Sequence, residues 1–155
     1  MKRMKQSTPN KSIVLRKATF DDFADILRWR NDPMTIKMSF DSRMIPIKEH
    51  VDWFKKALND PKRIFLIGYQ GDKKIGVVRY VQEVDGVHEV SINMAPEWRG
   101  KGLGVVFLKD SLSFVKGKII AKIKPENEAS IKAFQKAGYS LKKKDATAVV
   151  MEIEI

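Results

Sequence analysis

The sequence predicts a single α+β domain with a mixed, mainly antiparallel central sheet flanked by helices. A length of 155 residues fits one domain, and 43% hydrophobic with 32% charged residues is a globular composition. Three β-rich runs are joined by short turns, and helices alternate with strands after them. The polar, basic segment 1–11 is predicted to be a disordered tail, so the domain is predicted over 12–155.

The first third of the domain predicts one strand followed by two helices. A strand is predicted over 12–18. Phe23 and Ile26 then have the spacing of one apolar helix face, and Pro33 opposes continuation of that helix beyond about residue 31. A loop leads to a second amphipathic helix over 47–58.

Three strands follow, joined by turns that are too short for a crossover. The runs 63–70 and 74–83 are separated only by residues 71–73 (Gly-Asp-Lys), which predicts a hairpin. Residues 85–86 (Asp-Gly) form the next turn before a strand over 87–95. Short connections make these strands antiparallel neighbours.

The last third alternates helices with strands, so the sheet mixes antiparallel and parallel pairs. Gly138 ends the last helix as a C-terminal cap. The predicted elements are a helix over 103–116, a strand over 118–124, a helix over 128–137, and strands over 139–143 and 147–153.

Composition excludes several classes of protein. Without cysteine there is no disulfide, thiolate nucleophile or Cys-ligated metal, and His50 and His88 are far apart in sequence, so no metal site is predicted. No apolar run approaches the ~18 residues of a membrane span, which predicts a cytoplasmic protein without a membrane partner. The net charge of +11 favours an anionic ligand; a solvated, lysine-rich surface is the alternative.

The most informative stretch is the glycine-rich loop 96–104 between a strand and a helix. Its glycines let the backbone approach a ligand, and the helix start offers free amides with about half a positive charge, to which Arg99 and Lys101 add. This combination predicts a pyrophosphate site. No P-loop string occurs, and Val105 breaks the GxGxxG dinucleotide pattern. A plain glycine-rich turn is the structural alternative.

Two motifs in register resemble a known family. Arg99-x-x-Gly102-x-Gly104 is similar to the acetyl-CoA-binding motif of the GNAT N-acetyltransferase superfamily, and the segment 127–139 is similar to its closing signature. The resemblance spans roughly residue 13 to the C-terminus. It implies an acetyl-CoA-dependent enzyme that moves an acetyl group to an amine.

The resemblance also implies cofactor contacts. Residues 99–104 would bind the coenzyme A pyrophosphate, and the backbone of 92–94, where that strand splays from 118–124, would bind the pantetheine arm. Asn127 would contact the same arm, as well as serving as a helix N-cap. The implied contact residues are Ile92, Asn93, Met94, Arg99, Gly100, Lys101, Gly102, Leu103, Gly104, Asn127, Ser130 and Phe134.

The candidate catalytic base is Glu89, ten residues before Arg99, where several family members have a glutamate. Strand alternation places Glu89 on one face with Ser91 and Asn93, and that face is either the wall of the acceptor cleft or a solvent surface. His88 and Glu83 rank below Glu89.

The general acid is not assigned by the sequence. Phe134 stands where many relatives have a tyrosine that acts as the general acid. Another group or water must therefore protonate the leaving thiolate. Tyr80 is an outside candidate, and Tyr139 is predicted to be a core aromatic residue.

Acceptor candidates lie in the first two helices and the hairpin, and each has a structural alternative in the core or at a helix end. They are Trp29, Arg30, Asn31, His50 and Tyr80. The Trp-Arg-Asn run and the pattern around His50 resemble acetyltransferases of nucleotide-linked amino sugars; ribosomal-protein N-terminal and polyamine acetyltransferases share the first element. The basic charge favours an anionic nucleotide sugar, with a protein or peptide N-terminal amine as the alternative.

Two interpretations from other classes stay open. The basic surface could bind nucleic acid, although no RNA- or DNA-binding motif is present, and the chain could sense coenzyme A without catalysis. A homodimer is expected only by analogy with relatives.

Overall fold

The computed structural model describes residues 12–155, so the predicted tail 1–11 lies outside the described residues. Five α-helices, three 3₁₀ turns and seven strands make up this part of the chain. The helices are α1 (Phe23–Arg30), α2 (Pro33–Met38), α3 (Ile47–Leu58), α4 (Leu103–Ser111) and α5 (Glu128–Lys136). The strands are β1 (Val14–Lys17), β2 (Arg63–Gln70), β3 (Lys73–Gln82), β4 (His88–Met94), β5 (Lys118–Ile123), β6 (Ser140–Lys144) and β7 (Val149–Glu154).

The strands form one sheet in the order β1-β2-β3-β4-β5-β7-β6. Every neighbouring pair is antiparallel except β4 with β5, which are parallel and pair only at His88–Ile119 and Glu89–Ile120. Beyond Glu89 the two strands separate, which leaves the β5-facing edge of β4 without a ladder partner. The mixed sheet flanked by helices confirms the predicted fold class.

Both faces of the central strands are buried, which explains why β2 and β3 are almost continuously apolar. On one face Leu66 and Val78 join the core that contains Phe107 of α4. On the other face Phe65 and Val77 pack in a second core, which includes residues of α1 and α3.

Two helix predictions needed correction. The segment predicted as a loop after Pro33 contains α2, because Pro33 occupies the first helical turn and the Asp32 side chain accepts a hydrogen bond from the Thr35 amide at 3.2 Å. The helix predicted over 103–116 ends at Ser111 and continues only as the 3₁₀ turn Leu112–Phe114. No helix within residues 12–155 is long and apolar enough to cross a membrane.

Candidate active site

Two cavities meet at β4. The first, which we call the sheet cleft, has a volume of about 460 Å³ and lies over β2, β3 and β4, beneath α1, α3 and the loop before α3. The second, which we call the splay cleft, has a volume of about 1000 Å³ and lies where β4 and β5 separate, between α5 and the end of the glycine-rich loop with the start of α4. Two ligands, one in each cleft, can therefore come into contact at β4.

The junction of the clefts is lined by charged and polar side chains from α1, the loop after α2, β3 and β4. The residues that line both clefts are Arg30, Asp41, Arg79, Glu89, Ser91 and Asn93. Chemistry between two bound molecules would take place among these six side chains.

The glycine-rich loop has the backbone that its composition predicts. Gly100 and Gly102 have φ values of 73° and 75°, in the left-handed region that favours glycine. Gly102 is the N-cap of α4, whose first-turn amides have no acceptor within the helix. These amides and the unpaired edge of β4 border the splay cleft. They suit a ligand with an anionic group and a chain of peptide-like amides.

Arg99 was expected to bind an anionic ligand, but its side chain is bonded to residues at the start of α2. Its Nη2 donates to Asp32 Oδ2 at 2.8 Å and to Thr35 Oγ1 at 2.9 Å, so its charge is paired with α2. Burial alone would raise the pKa of Asp32, but the hydrogen bond from Arg99 lowers it. Lys101 lies 4.7 Å above the Trp98 ring. Arg99 lines the splay cleft with its charge already paired, and the predicted contact Lys101 is not among the residues that line it. The backbone amides of the loop are therefore the groups best placed to bind an anion here.

The second motif borders the same cleft. Asn127 caps α5 by accepting the Ser130 amide at 3.3 Å, and both residues line the splay cleft. This bond uses the Asn127 carbonyl oxygen and leaves its amide hydrogens available for a ligand. Phe134 is buried at the base of the cleft, with its ring edge-to-face against Tyr139 at 4.9 Å. It offers an apolar contact and no proton.

The predicted strand contacts also border the splay cleft. Ile92, Asn93 and Met94 line it together with Gly100, Gly102, Leu103 and Gly104. A Cβ on Gly104 would come to 4.0 Å from the side chains of Ile92 and Met94. The structure thus brings these residues together along one wall.

Glu89 lies at the junction. Its carboxylate is 34% exposed and 3.8 Å from Lys122 Nζ. Glu83 lies at the exposed rim of the sheet cleft, and His88 borders neither cleft. Strand alternation correctly separated His88 from the face that carries Glu89.

The acceptor candidates divide into two groups. Arg30 and His50 line the sheet cleft, where His50 Nε2 is 2.9 Å from the Phe23 carbonyl oxygen and burial lowers the pKa of the ring. Trp29 is 1% exposed in the core, and Asn31 instead bonds the amide and carbonyl of Ile45 at 2.8 Å each. Asn31 therefore fixes the loop that roofs the cleft.

Tyr80 is placed away from both clefts. Its side chain is fully buried on the α4 face of the sheet, 2.5 Å from Ser111 Oγ, and burial raises its pKa. The structure therefore does not bring Tyr80, the outside candidate for the acceptor and for the proton donor, to either cleft, because its strand parity puts it on the opposite face from Arg79.

Sequence reasoning missed Arg79 and Asp41, which line the junction. Arg79 could have been found, since it pairs with Ser91 across the β3–β4 hairpin and therefore shares the Glu89 face. Asp41 lies in an irregular loop, for which the sequence has no comparable periodicity.

Comparison with known proteins gave a family match and matches to solved structures. The family model described as an acetyltransferase (GNAT) domain matches residues 12–140. A search of curated proteins gave no significant match.

Solved structures share the fold at low sequence identity. An aminoglycoside acetyltransferase, AAC(6')-Ib, in complex with coenzyme A and kanamycin is 20% identical, with a TM-score of 0.78 over 92% of this chain and 95% of that one. A spermidine N-acetyltransferase from Vibrio cholerae in complex with CoA and spermine is 18% identical, with a TM-score of 0.81 over 92% and 94%. At these identities the likeness shows the fold.

Proposed function

Because the chain belongs to the GNAT acetyltransferase family and is an acetyl-CoA-dependent N-acyltransferase, we propose that its acceptor is the primary amine of a nucleotide-linked amino sugar. One observation carries the proposal: the splay cleft, bordered by the glycine loop, opens onto an arginine-rich sheet cleft at Glu89. The amine would approach through the sheet cleft. A cytoplasmic location and a homodimer stay predictions.

The residues of the splay cleft fit acetyl-CoA. In our proposal the amides that follow Gly102 hold its pyrophosphate, and Lys101 adds a positive charge. The free edge of β4 at Ile92–Met94 and the Asn127 amide hold the pantetheine arm. When bound, acetyl-CoA supplies an activated acetyl group.

Glu89 is the proposed base. An amine attacks only when it is neutral, and a carboxylate at the junction can take the ammonium proton, directly or through one water. Backbone groups of β4 beside it can orient the reacting carbonyl. Phe134 has no proton to donate, and no tyrosine hydroxyl of residues 12–155 lines the splay cleft, so we assign the final protonation to water.

The charges of the sheet cleft argue against a polycationic acceptor. Of its four carboxylates, Asp41 and Glu49 are ion-paired with Arg43 and Glu89 is ion-paired with Lys122, with the closest contact at 2.5 Å between Arg43 Nη2 and Glu49 Oε1. Within residues 12–155 this leaves Glu83, at the exposed rim, as the one carboxylate of the cleft without an ion pair. A polyamine site needs free carboxylates, whereas a nucleotide sugar is itself an anion. A protein N-terminal amine is the alternative acceptor.

The test is a titration with acetyl-CoA by calorimetry, followed by assay of thiol release with a panel of amines. The panel contains a UDP-4-amino sugar, spermidine, kanamycin and short peptides. We expect acetyl-CoA to bind and the UDP-4-amino sugar to give the highest kcat/KM. Preference for spermidine or kanamycin would overturn the proposed acceptor, and preference for peptides would favour the alternative. Absence of acetyl-CoA binding would remove the assignment of the glycine loop.

A further inference from the structure

We propose that Arg79, together with Arg30, forms a subsite in the sheet cleft that binds a phosphate group of the acceptor. The inference rests on the proposed function, because it assigns residues to the anionic part of that acceptor. Both guanidinium groups line the junction of the clefts, beside Glu89. An anion bound there would place the rest of the acceptor within reach of the base.

The Arg79 side chain is held in a fixed orientation. Its Nε donates to Ser91 Oγ at 2.6 Å, between residues that face each other across β3 and β4. The guanidinium carbon lies 6.0 Å from the centre of the Trp53 ring, which forms part of the cleft wall. This arrangement uses one of the five N–H donors and leaves the terminal nitrogens, which match the geometry of a phosphate, for a ligand.

The arginines of the sheet cleft differ in their partners. Arg43 is paired with Asp41 and Glu49, and Arg63 is paired with Asp60 at 3.2 Å.

In the described part of the chain, no carboxylate forms an ion pair with Arg79 or Arg30. Arg30 Nη2 donates to the Asp41 carbonyl oxygen at 2.6 Å, while its Nη1 is buried without a hydrogen-bond acceptor.

Such an arrangement is unfavourable until an anion is bound. Burial lowers the pKa of Arg79, the nearby charges of Arg63 and Arg30 lower it further, and Glu89 offsets only part of this. Cations that are partly removed from water without an ion-pair partner lose part of their hydration, and one hydrogen bond each, to the Asp41 carbonyl and to Ser91, compensates only in part. A bound phosphate would supply both the missing charge and the missing acceptors. A purely structural role would not require two unpaired guanidinium groups facing a cavity.

The kinetic test compares acceptors with and without the anion. We would measure kcat and KM of the wild type, Arg79→Gln and Arg79→Lys with a UDP-4-amino sugar and with the corresponding free 4-amino sugar. Lys142→Gln, on β6, is the control that removes one positive charge away from the clefts. We expect Arg79→Gln to lower kcat/KM for the UDP sugar by about 30-fold, mainly through KM, as loss of a buried charged partner does.

The kinetics with the free sugar, and those of Arg79→Lys, distinguish a phosphate subsite from a role of Arg79 at the reacting atoms. The loss should depend on the acceptor: Arg79→Gln should lower kcat/KM for the UDP sugar about 10-fold or more beyond its effect with the free sugar, and Arg79→Lys should recover part of the loss with the UDP sugar. An equal fall in kcat for both acceptors would overturn the proposal, because it would place Arg79 at the chemistry itself.

A binding test does not depend on turnover. UDP is titrated into the protein saturated with coenzyme A, so that it cannot occupy the splay cleft. We expect wild-type binding, weakened about 10-fold or more by Arg79→Gln, with unchanged affinity for coenzyme A. Failure of UDP to bind the wild type, or equal binding by the variant, would overturn the subsite.

The two proposals can fail separately. If coenzyme A does not bind, the proposed function fails, and UDP is titrated into the free protein, Arg79→Gln and Lys132→Gln, whose residue lines only the splay cleft. Weakening by Arg79→Gln and not by Lys132→Gln supports the subsite, and the reverse overturns it. Thermal unfolding shows whether the variant folds; if it does not, Arg30→Gln replaces it with the same readouts.

Discussion

Glu89 is the carboxylate whose removal should have the clearest chemical consequence, because it lies at the junction of the clefts. We predict that Glu89→Gln lowers kcat/KM by on the order of 100-fold at about pH 7, the usual contribution of a general base. The loss should shrink as the pH approaches the pKa of the acceptor amine, since the amine then deprotonates without help. The measurement is the pH dependence of thiol release.

Glu83→Gln is the matched control for this prediction. Glu83 lies at the exposed rim of the same cleft, and its substitution should leave the pH profile unchanged. If Glu83→Gln lost activity at neutral pH and Glu89→Gln did not, Glu83 would be the base and the assignment to Glu89 would be overturned.

Individual side chains show why only part of the site could be predicted. The Trp-Arg-Asn run was predicted as three acceptor contacts, but consecutive helical residues point in different directions. Arg30 alone reaches the cleft, while Trp29 enters the core and Asn31 binds the loop at Ile45. A motif locates a region of the chain, and the packing of the helix decides which residue of the motif faces the ligand.

At the scale of elements, the glycine-rich loop depends on two left-handed residues. We predict that Gly102→Ala weakens acetyl-CoA binding by about 10-fold, because a residue with a Cβ at φ 75° costs about 1–2 kcal/mol and the helix start can shift to avoid it. Calorimetric titration with acetyl-CoA measures the effect.

Gly86→Ala is the control for backbone strain alone. Gly86 has φ 83° in the β3–β4 turn, and a Cβ added there would have no other atom within 4 Å. The variant should lose a similar amount of stability with unchanged affinity for acetyl-CoA. Equal weakening by both variants would mean that global destabilisation, and not loop geometry, sets the affinity.

The buried carboxylate of Asp22 joins three elements. It is fully buried and accepts hydrogen bonds at 2.8 Å from Arg16 of β1, Lys74 of β3 and the Thr19 amide. We predict that Asp22→Asn lowers the free energy of unfolding by about 3 kcal/mol, the low end for breaking a buried pair, because both cations are partly exposed. Urea unfolding gives the value.

The same carboxylate predicts a pH dependence. Burial alone would raise the pKa of Asp22, but its bonds to Arg16 and Lys74 hold it well below the usual value. Its stabilisation is therefore complete above the unfolded pKa of about 4 and is lost as the pH falls toward the folded pKa. The difference in the free energy of unfolding between the wild type and Asp22→Asn should therefore shrink at acidic pH.

Arg28→Gln is the control for loss of an exposed ion pair. It breaks the pair with Asp25 and should change the free energy of unfolding by less than about 1 kcal/mol.

Elements with a strong local signal were predicted, and the missed helix shows what limits that signal. The helix over Ile47–Leu58 and the strand over Arg63–Gln70 match their predicted bounds because periodicity and flanking turn residues agree. Helix α2 was missed because Pro33 was interpreted only as a helix terminator. Proline also begins helices, and here the cap by Asp32 and the contact of Asp32 with Arg99 favour a start.

For the whole molecule, the fold class followed from local patterns, whereas the order of the strands did not. Short turns require β2, β3 and β4 to be neighbours, but nothing local indicates that β7 lies between β5 and β6. The junction of the two clefts depends on where the β4–β5 ladder stops, at Glu89, which is a tertiary property. The motifs therefore predicted the residues that line the splay cleft more completely than those that line the sheet cleft.

The net charge of +11 should act on how fast the anionic cofactor is captured. We predict that the association rate constant of acetyl-CoA falls about 10-fold between about 20 mM and about 500 mM salt, while the dissociation rate changes less, because salt screens long-range attraction more than contacts already formed. Stopped-flow binding measures both rates.

Two variants that each remove one positive charge separate the general from the local field. The first, Lys101→Gln, changes a residue of the glycine-rich loop, and the second, Lys144→Gln, changes a residue of the exposed strand β6. If the field near the loop dominates, Lys101→Gln slows association more than Lys144→Gln and flattens its salt dependence. Equal slowing would mean that capture depends on total charge, and the basic surface would then steer any polyanion without favouring the cleft.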